Sequence, residues 1–301
     1  MNSLKQQNSR KIMILAIASV IASIFFSFLG APFLRAFAVA ARSRVFWTVG
    51  AVFVFTLFVF GKNDNQISQA AVYVGAIWMT LGSYNELEKR GINWKLAGSF
   101  SLLAGILFAA AGYFYLSLNQ ANSEILNQLV TPLHLAINKA FPESPIEMKM
   151  LVGFLPGLFI ASLFGALAFG FLLESRVSRL FGVHKFKVAS GLKWLEFRLP
   201  DIFIWASLFA LFFSIINLNN KVLQTISINI LIVSAVAFLV QGLTVMEFVM
   251  RSLRFGPISK SVTYVFIFFQ LAPFVVFIGL VDYWADFRKF VRRKAKSNEA
   301  Q

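Results

Sequence analysis

Apolar runs long enough to cross a bilayer recur along the whole chain, separated by short polar gaps. A hydrocarbon layer about 30 Å thick takes roughly 20 apolar residues of helix to cross, and inside it a helix satisfies its own backbone polar groups. The expected fold is therefore an all-α polytopic membrane protein, read as one integral-membrane domain over residues 1–301, with about eight transmembrane helices, an interfacial helix and a half-span. The spans are expected near Ile12 to Leu29, Val45 to Phe60, Ile67 to Tyr84, Leu96 to Leu118, Met150 to Leu173, Asp201 to Leu218, Ile226 to Val249 and Ser261 to Tyr283. Composition points the same way: 58% of residues are hydrophobic, and the 14% that are charged are too few for a soluble surface.

The formal net charge of +15 raises the question of nucleic acid. Lys and Arg, however, gather at the edges of apolar runs, where they fit the positive-inside bias and meet anionic headgroups. No folded nucleic-acid module accompanies them, so the expected partners are the lipid bilayer and its anionic headgroups, with no nucleic acid. The chain has no cysteine, which excludes disulfides, thiolate nucleophiles and cysteine-ligated metals. Lys5, Arg10 and Lys11 precede a first run long enough to cross, so an uncleaved first helix is expected.

Several segments depart from simple spans. Ala18 and Ala22 form a small-xxx-small pair, suited to packing within the molecule or to a partner membrane protein. Pro32 interrupts the next run and Arg35 sits beside an apolar stretch, so Ala31 to Ala41 reads as a half-helix or re-entrant turn. Residues 119–149 read as an interfacial loop region whose helix is split by Pro132. His134 lies there without a histidine or acidic neighbour, and both histidines are placed in loops without chemistry. Pro156-Gly157 is expected to kink or open its span. Residues 174–199 read as a basic amphipathic linker and 285–301 as a basic tail.

The working stretch is expected from Lys193 to Met250, where polar residues punctuate membrane-length runs. Polar groups in lipid are costly enough that they normally face a bundle interior or a cavity. The substrate-binding candidates are Gln241, Gln270, Asn229, Glu247, Arg198 and Asp201. Asn229 lies 12 residues before Gln241, about 18 Å along one helix, so the two do not share a small site within it. Glu247 has Arg251 at i+4, which suits a helical ion pair. Gln241 and Gln270 are expected to approach each other, each otherwise poorly satisfied in hydrocarbon, with Pro273 freeing a carbonyl one turn earlier. Asp282 and Asp286, at i and i+4 beside Trp284 and Arg288, suit an interfacial anchor. No cofactor motif, metal-ligand cluster or paired catalytic carboxylates stand out, so no enzyme is expected.

Glu196-Phe197-Arg198-Leu199-Pro200 before a span, Asn229 in the next, Gln241-Gly242-Leu243, and the closing segment from Gly279 to Arg288 together resemble the YybS-like family of uncharacterised bacterial membrane proteins. That family is similar to the substrate-binding S components of energy-coupling-factor vitamin transporters. The resemblance, best over the carboxy-terminal half, implies a bacterial inner-membrane location and a substrate-binding module that works with a partner. Three functions are weighed: a transport-related module, a structural or assembly factor of the envelope, and a lipid-modifying enzyme, which would need an acidic or histidine cluster. The basic loops disagree on orientation: placing 176–198 in the cytoplasm also places 251–260 there, but puts the tail 288–296 outside.

Overall fold

The computed structural model describes residues 2–26, 30–119, 122–140, 142, 147–183, 197–216, 220–253 and 255–290. Its elements are all helical among these residues; the described parts of seven expected spans each fall on one helix, and the last, Ser261 to Tyr283, runs over two helices and the turn between them. In order they are α1 (Asn2–Phe26), α2 (Ala31–Ala40), α3 (Ser43–Phe60), α4 (Asn65–Lys89), α5 (Trp94–Asn119), α6 (Asn122–Ala140), α7 (Met148–Leu180), α8 (Asp201–Ile215), α9 (Lys221–Ser252), α10 (Pro257–Phe266) and α11 (Ala272–Ala285). By length and composition α3, α5, α7 and α9 are able to cross a membrane, whereas α2, α8 and α11 are shorter apolar helices. Where one domain is expected, the helices gather into two compact units, Met1–Gly191 and Leu192–Gln301. The division falls in the basic stretch.

In the first unit the ends of the helices are set by local chemistry. Asp64 caps α4 by accepting from the Gln66 and Ile67 N–H groups at 2.8 and 3.3 Å. At the other end Gly91, at φ 75°, lets its own N–H and that of Ile92 close back on Glu88 and Leu87. The same closure, with Gly182 at φ 58°, ends α7. The linker expected from residue 174 thus begins two turns too early. Glu174, Val177 and Ser178 lie on a buried face that carries α7 on to Leu180. Lys185, Lys187 and Lys193 of that linker lie outside the described residues, as do Lys193-Trp194-Leu195-Glu196, Asn217 and Asn219, and the tail beyond residue 290.

Helix α7 runs across Pro156 without a break in its assignment, and α6 likewise contains Pro132, so the expected split of the interfacial helix is not seen. His134 stands on α6 rather than in a loop, with its Nε2 3.0 Å from the Asn138 amide one turn on. His184 lies outside the described residues. Helix α2 is the half-helix the Pro32 break suggests, with Pro32 in its first turn, where a missing N–H costs nothing. It is the buried heart of the unit, with every residue except Phe33 buried. Gly30 lies so close to α1 that a Cβ there would come within 2.7 Å of the Ala22 backbone. Ala22 therefore packs within the chain and is not open to a partner protein, while Ala18 is half-buried on the same helix.

The second unit contains α8 to α11. Asn220 caps α9 by accepting from the Leu223 N–H at 3.1 Å. Helices α9 and α11 come into backbone contact: a Cβ on Gly279 would lie 1.9 Å from the Phe238 carbonyl oxygen, and one on Gly242 would lie 2.1 Å from that of Val275. Small residues allow such approach, and the resulting van der Waals contact drives helix association in lipid. Between α10 and α11, residues Ile267–Leu271 form a π-helical turn immediately before Pro273. The wider turn accommodates the missing proline N–H and its ring, so the chain stays helical across Pro273.

Candidate functional site

Each unit holds a buried polar centre. In the first, α2 brings the fully buried Arg35 between α4 and α7. Its Nη2 donates to Glu88 Oε2 and its Nη1 to Asn85 Oδ1 at 3.3 Å, while its Nε lies 3.4 Å from Glu174 Oε2. The rings of Tyr84 and Phe171 cover the guanidinium at 5.2 and 4.8 Å. Asn85 also donates to the Ala38 carbonyl at 2.8 Å, binding α2 to α4 a second time. One cation between two carboxylates is a clamp: the planar fork reaches two helices at once, and removing it would leave buried charge at a cost of about 3–5 kcal/mol.

In the second unit the polar groups hold an extended segment, residues 197–200, against α9 and the end of α11. The Leu199 N–H donates to Gln241 Oε1 at 2.9 Å, and Gln241 Nε2 donates to the Gly279 carbonyl at 2.9 Å. Buried Arg288 donates from Nη2 to the Phe197 carbonyl at 2.9 Å and to Thr244 Oγ1 at 2.8 Å, with Asp282 Oδ2 at 3.6 Å. Asp282 Oδ1 accepts from the Phe287 N–H at 3.1 Å. Asp286 ends α11 in the left-handed region, at φ 44°, and pairs with Arg198 at 2.6 Å. Partial burial pushes the Asp286 carboxyl up, but the hydrogen bond and charge of Arg198, aided by Lys289, outweigh that and hold it below the usual carboxylate range.

Residues 11–283 match the family described as "Predicted membrane protein (DUF2232)". The chain belongs to that family. The matched span includes the Arg35 centre and Gln241 and stops before Asp286 and Arg288. No curated protein and no solved structure matches the chain.

Of the six residues expected at a site in this family member, Gln241 and Arg198 meet in the second centre, where Gln241 is 1% exposed and both ends of its amide are taken by backbone. Gln270 does not join it. Its side chain is exposed on the π-helical turn, because the wider turn sets it off the buried face. Asn229 donates to the Thr225 carbonyl of its own helix at 2.8 Å. Glu247 gathers three donors: Arg251 Nε at 2.7 Å as expected, and also Lys260 Nζ at 3.1 Å and the Tyr264 hydroxyl at 2.7 Å from α10. Asp201 opens α8, where a carboxylate suits the positive end of the helix, and is exposed. Asp282 is not an exposed anchor: it is fully buried and faces Arg288.

Sequence reasoning missed the Arg35 centre, having given Glu88 no role and placed residue 174 at the start of a linker. The signal was Arg35 itself, since a cation within an apolar run requires a named counter-charge. Among the described residues no three histidine, aspartate or glutamate side chains converge as a metal site. The hydrogen bonds and ion pairs of both centres equip them to fix helices and to hold an irregular backbone segment.

Proposed function

We propose that the chain is a substrate-binding or transport-related module of the bacterial inner membrane, without catalytic activity, of the kind its resemblance to the YybS-like family implies. The observation that supports this reading is the extended segment 197–200, whose backbone is satisfied by the buried side chains of Gln241 and Arg288. Non-helical backbone at membrane depth is tolerated where protein covers it or where it lines a cavity, and discontinuous helices of this kind build the binding sites of many transporters. The Arg198 side chain in that segment is 43% exposed even with its Nη2 turned in to Asp286, which leaves part of it within reach of an anionic ligand.

Native mass spectrometry of the protein purified from its own membrane tests the reading. A retained small molecule that is lost in Arg198→Ala, at unchanged thermal stability, supports it, whereas a wild-type protein that retains nothing argues against it. A structural or assembly factor of the envelope is the second reading. It is favoured by Gln241, whose amide is fully engaged within the chain. Envelope proteins recovered with the native protein, and no small molecule, would select it.

A further inference from the structure

The first unit brings helix ends together in a way that sorts its charges between two faces. Lys11 Nζ donates to the Gly182 carbonyl at 3.2 Å, so the start of the apolar part of α1 lies beside the end of α7. Lys89 Nζ donates to Ser43 Oγ at 3.0 Å, so the end of α4 lies beside the start of α3. The turn at residues 90–93 connects α4 directly to α5, which begins at the same face. Arg35 draws α2, Glu88 near the end of α4 and Glu174 near the end of α7 to one level. The opposite face carries the turn Gly61–Asn63 between α3 and α4, and helix α6, which connects α5 to α7.

The first face exposes Arg10, Arg42, Arg44, Arg90, Lys95 and Arg179. The acidic residues near it are committed: Glu86 lies 3.6 Å from Lys89, and Glu88 and Glu174 bind Arg35. The opposite face mixes signs, with Lys62 beside Asp64 and Lys139 and Lys149 near Glu147. Short loops rich in Lys and Arg stay in the cytoplasm, whose leaflet is anionic and attracts basic residues at its surface.

We infer that the first unit is oriented with its basic face in the cytoplasm, seated on the anionic lipid headgroups of that leaflet, and with α6 on the far side. The orientation follows from how helix ends pair, which conflicting loop charges along the chain do not reveal, and it is independent of what the second unit binds. Because the chain has no cysteine, single cysteines report it directly. Gln66→Cys is expected to react with a membrane-impermeant maleimide in intact cells, and Arg90→Cys only after permeabilisation; any other pattern overturns the orientation. For the lipid contact, the full chain is placed in nanodiscs of zwitterionic lipid with or without phosphatidylglycerol. Phosphatidylglycerol is expected to raise the thermal midpoint, and Arg42→Gln with Arg44→Gln to weaken its binding about fivefold per cation removed. A midpoint indifferent to phosphatidylglycerol in the wild type overturns the headgroup contact.

Discussion

Replacing Gly279 with alanine tests the contact on which the second unit is built. The new Cβ would lie 1.9 Å from the Phe238 carbonyl oxygen and 2.8 Å from the Gly242 nitrogen, both backbone atoms that cannot rotate away. Reaching the 3.4 Å at which ordinary contact begins requires α9 and α11 to part by about 1.5 Å. A separation of that size stretches the 2.9 Å bond from Gln241 to the Gly279 carbonyl beyond any useful length. Overpacking of this kind costs about 1–3 kcal/mol, and a buried amide left unmade adds roughly 1–3 kcal/mol. Gly279→Ala is therefore expected to lose about 2–6 kcal/mol in reversible unfolding from mixed micelles followed by circular dichroism. Gly98→Ala is the control: a Cβ there meets nothing within 4 Å, and the helix is expected to gain up to about 1 kcal/mol. If Gly279→Ala unfolded within about 0.5 kcal/mol of the wild type, the close approach of the two helices would be refuted.

Arg35→Met strands Glu88 and Glu174 in the interior of the first unit, and the same unfolding assay is expected to register a loss of about 3–5 kcal/mol. Gln241→Leu leaves the Leu199 N–H and the Gly279 carbonyl without their partner, an expected loss of roughly 1–3 kcal/mol for each group. Gln270→Leu, at an exposed position, is expected to change stability by less than about 0.5 kcal/mol, and equal losses for the two glutamines would sink the distinction between them. The lowered Asp286 carboxyl contributes stability that is present above the unfolded-state value near 3.8 and is lost as pH falls below it. Both partners are partly exposed, which limits that contribution to less than about 1 kcal/mol. Asp286→Asn, which tolerates the left-handed backbone, is expected to narrow the difference between stability at pH 5 and at pH 2 by less than about 1 kcal/mol, the other paired carboxylates keeping theirs, a comparison that titrated unfolding measures directly.

The helical fold was legible because it rests on runs of apolar residues that need no partner to be recognised, and α2 because Pro32 and the shortness of its run forbid a span. Pairings were harder. Glu88 and Glu174 lie far from Arg35 in the chain and look like ordinary residues near helix ends, so only the unexplained cation pointed to them. Gln241 was singled out as an amide needing a partner, and it finds one in the Leu199 N–H beside Arg198. Its partners are main-chain groups, which carry no residue signature, so a side-chain amide was sought instead and Gln270 was the wrong one. The contact between Gly242 and Gly279 was illegible for a similar reason: they meet across two helices, and neither helix alone spells a repeated motif.

The Arg35 clamp also dictates an order of events during synthesis. Helix α2 is made early, yet its guanidinium is shared between Glu88 on α4 and Glu174 near the end of α7, the last helix of the unit to leave the ribosome. An arginine without counter-charges does not settle stably in hydrocarbon. The nascent α1–α2 pair must therefore keep Arg35 near water until Glu88, some 50 residues further on, has been made, and the clamp is complete only when Glu174 follows. A ribosome stalled before Glu88 would present a half-helix that is already translated and still waiting at the membrane surface.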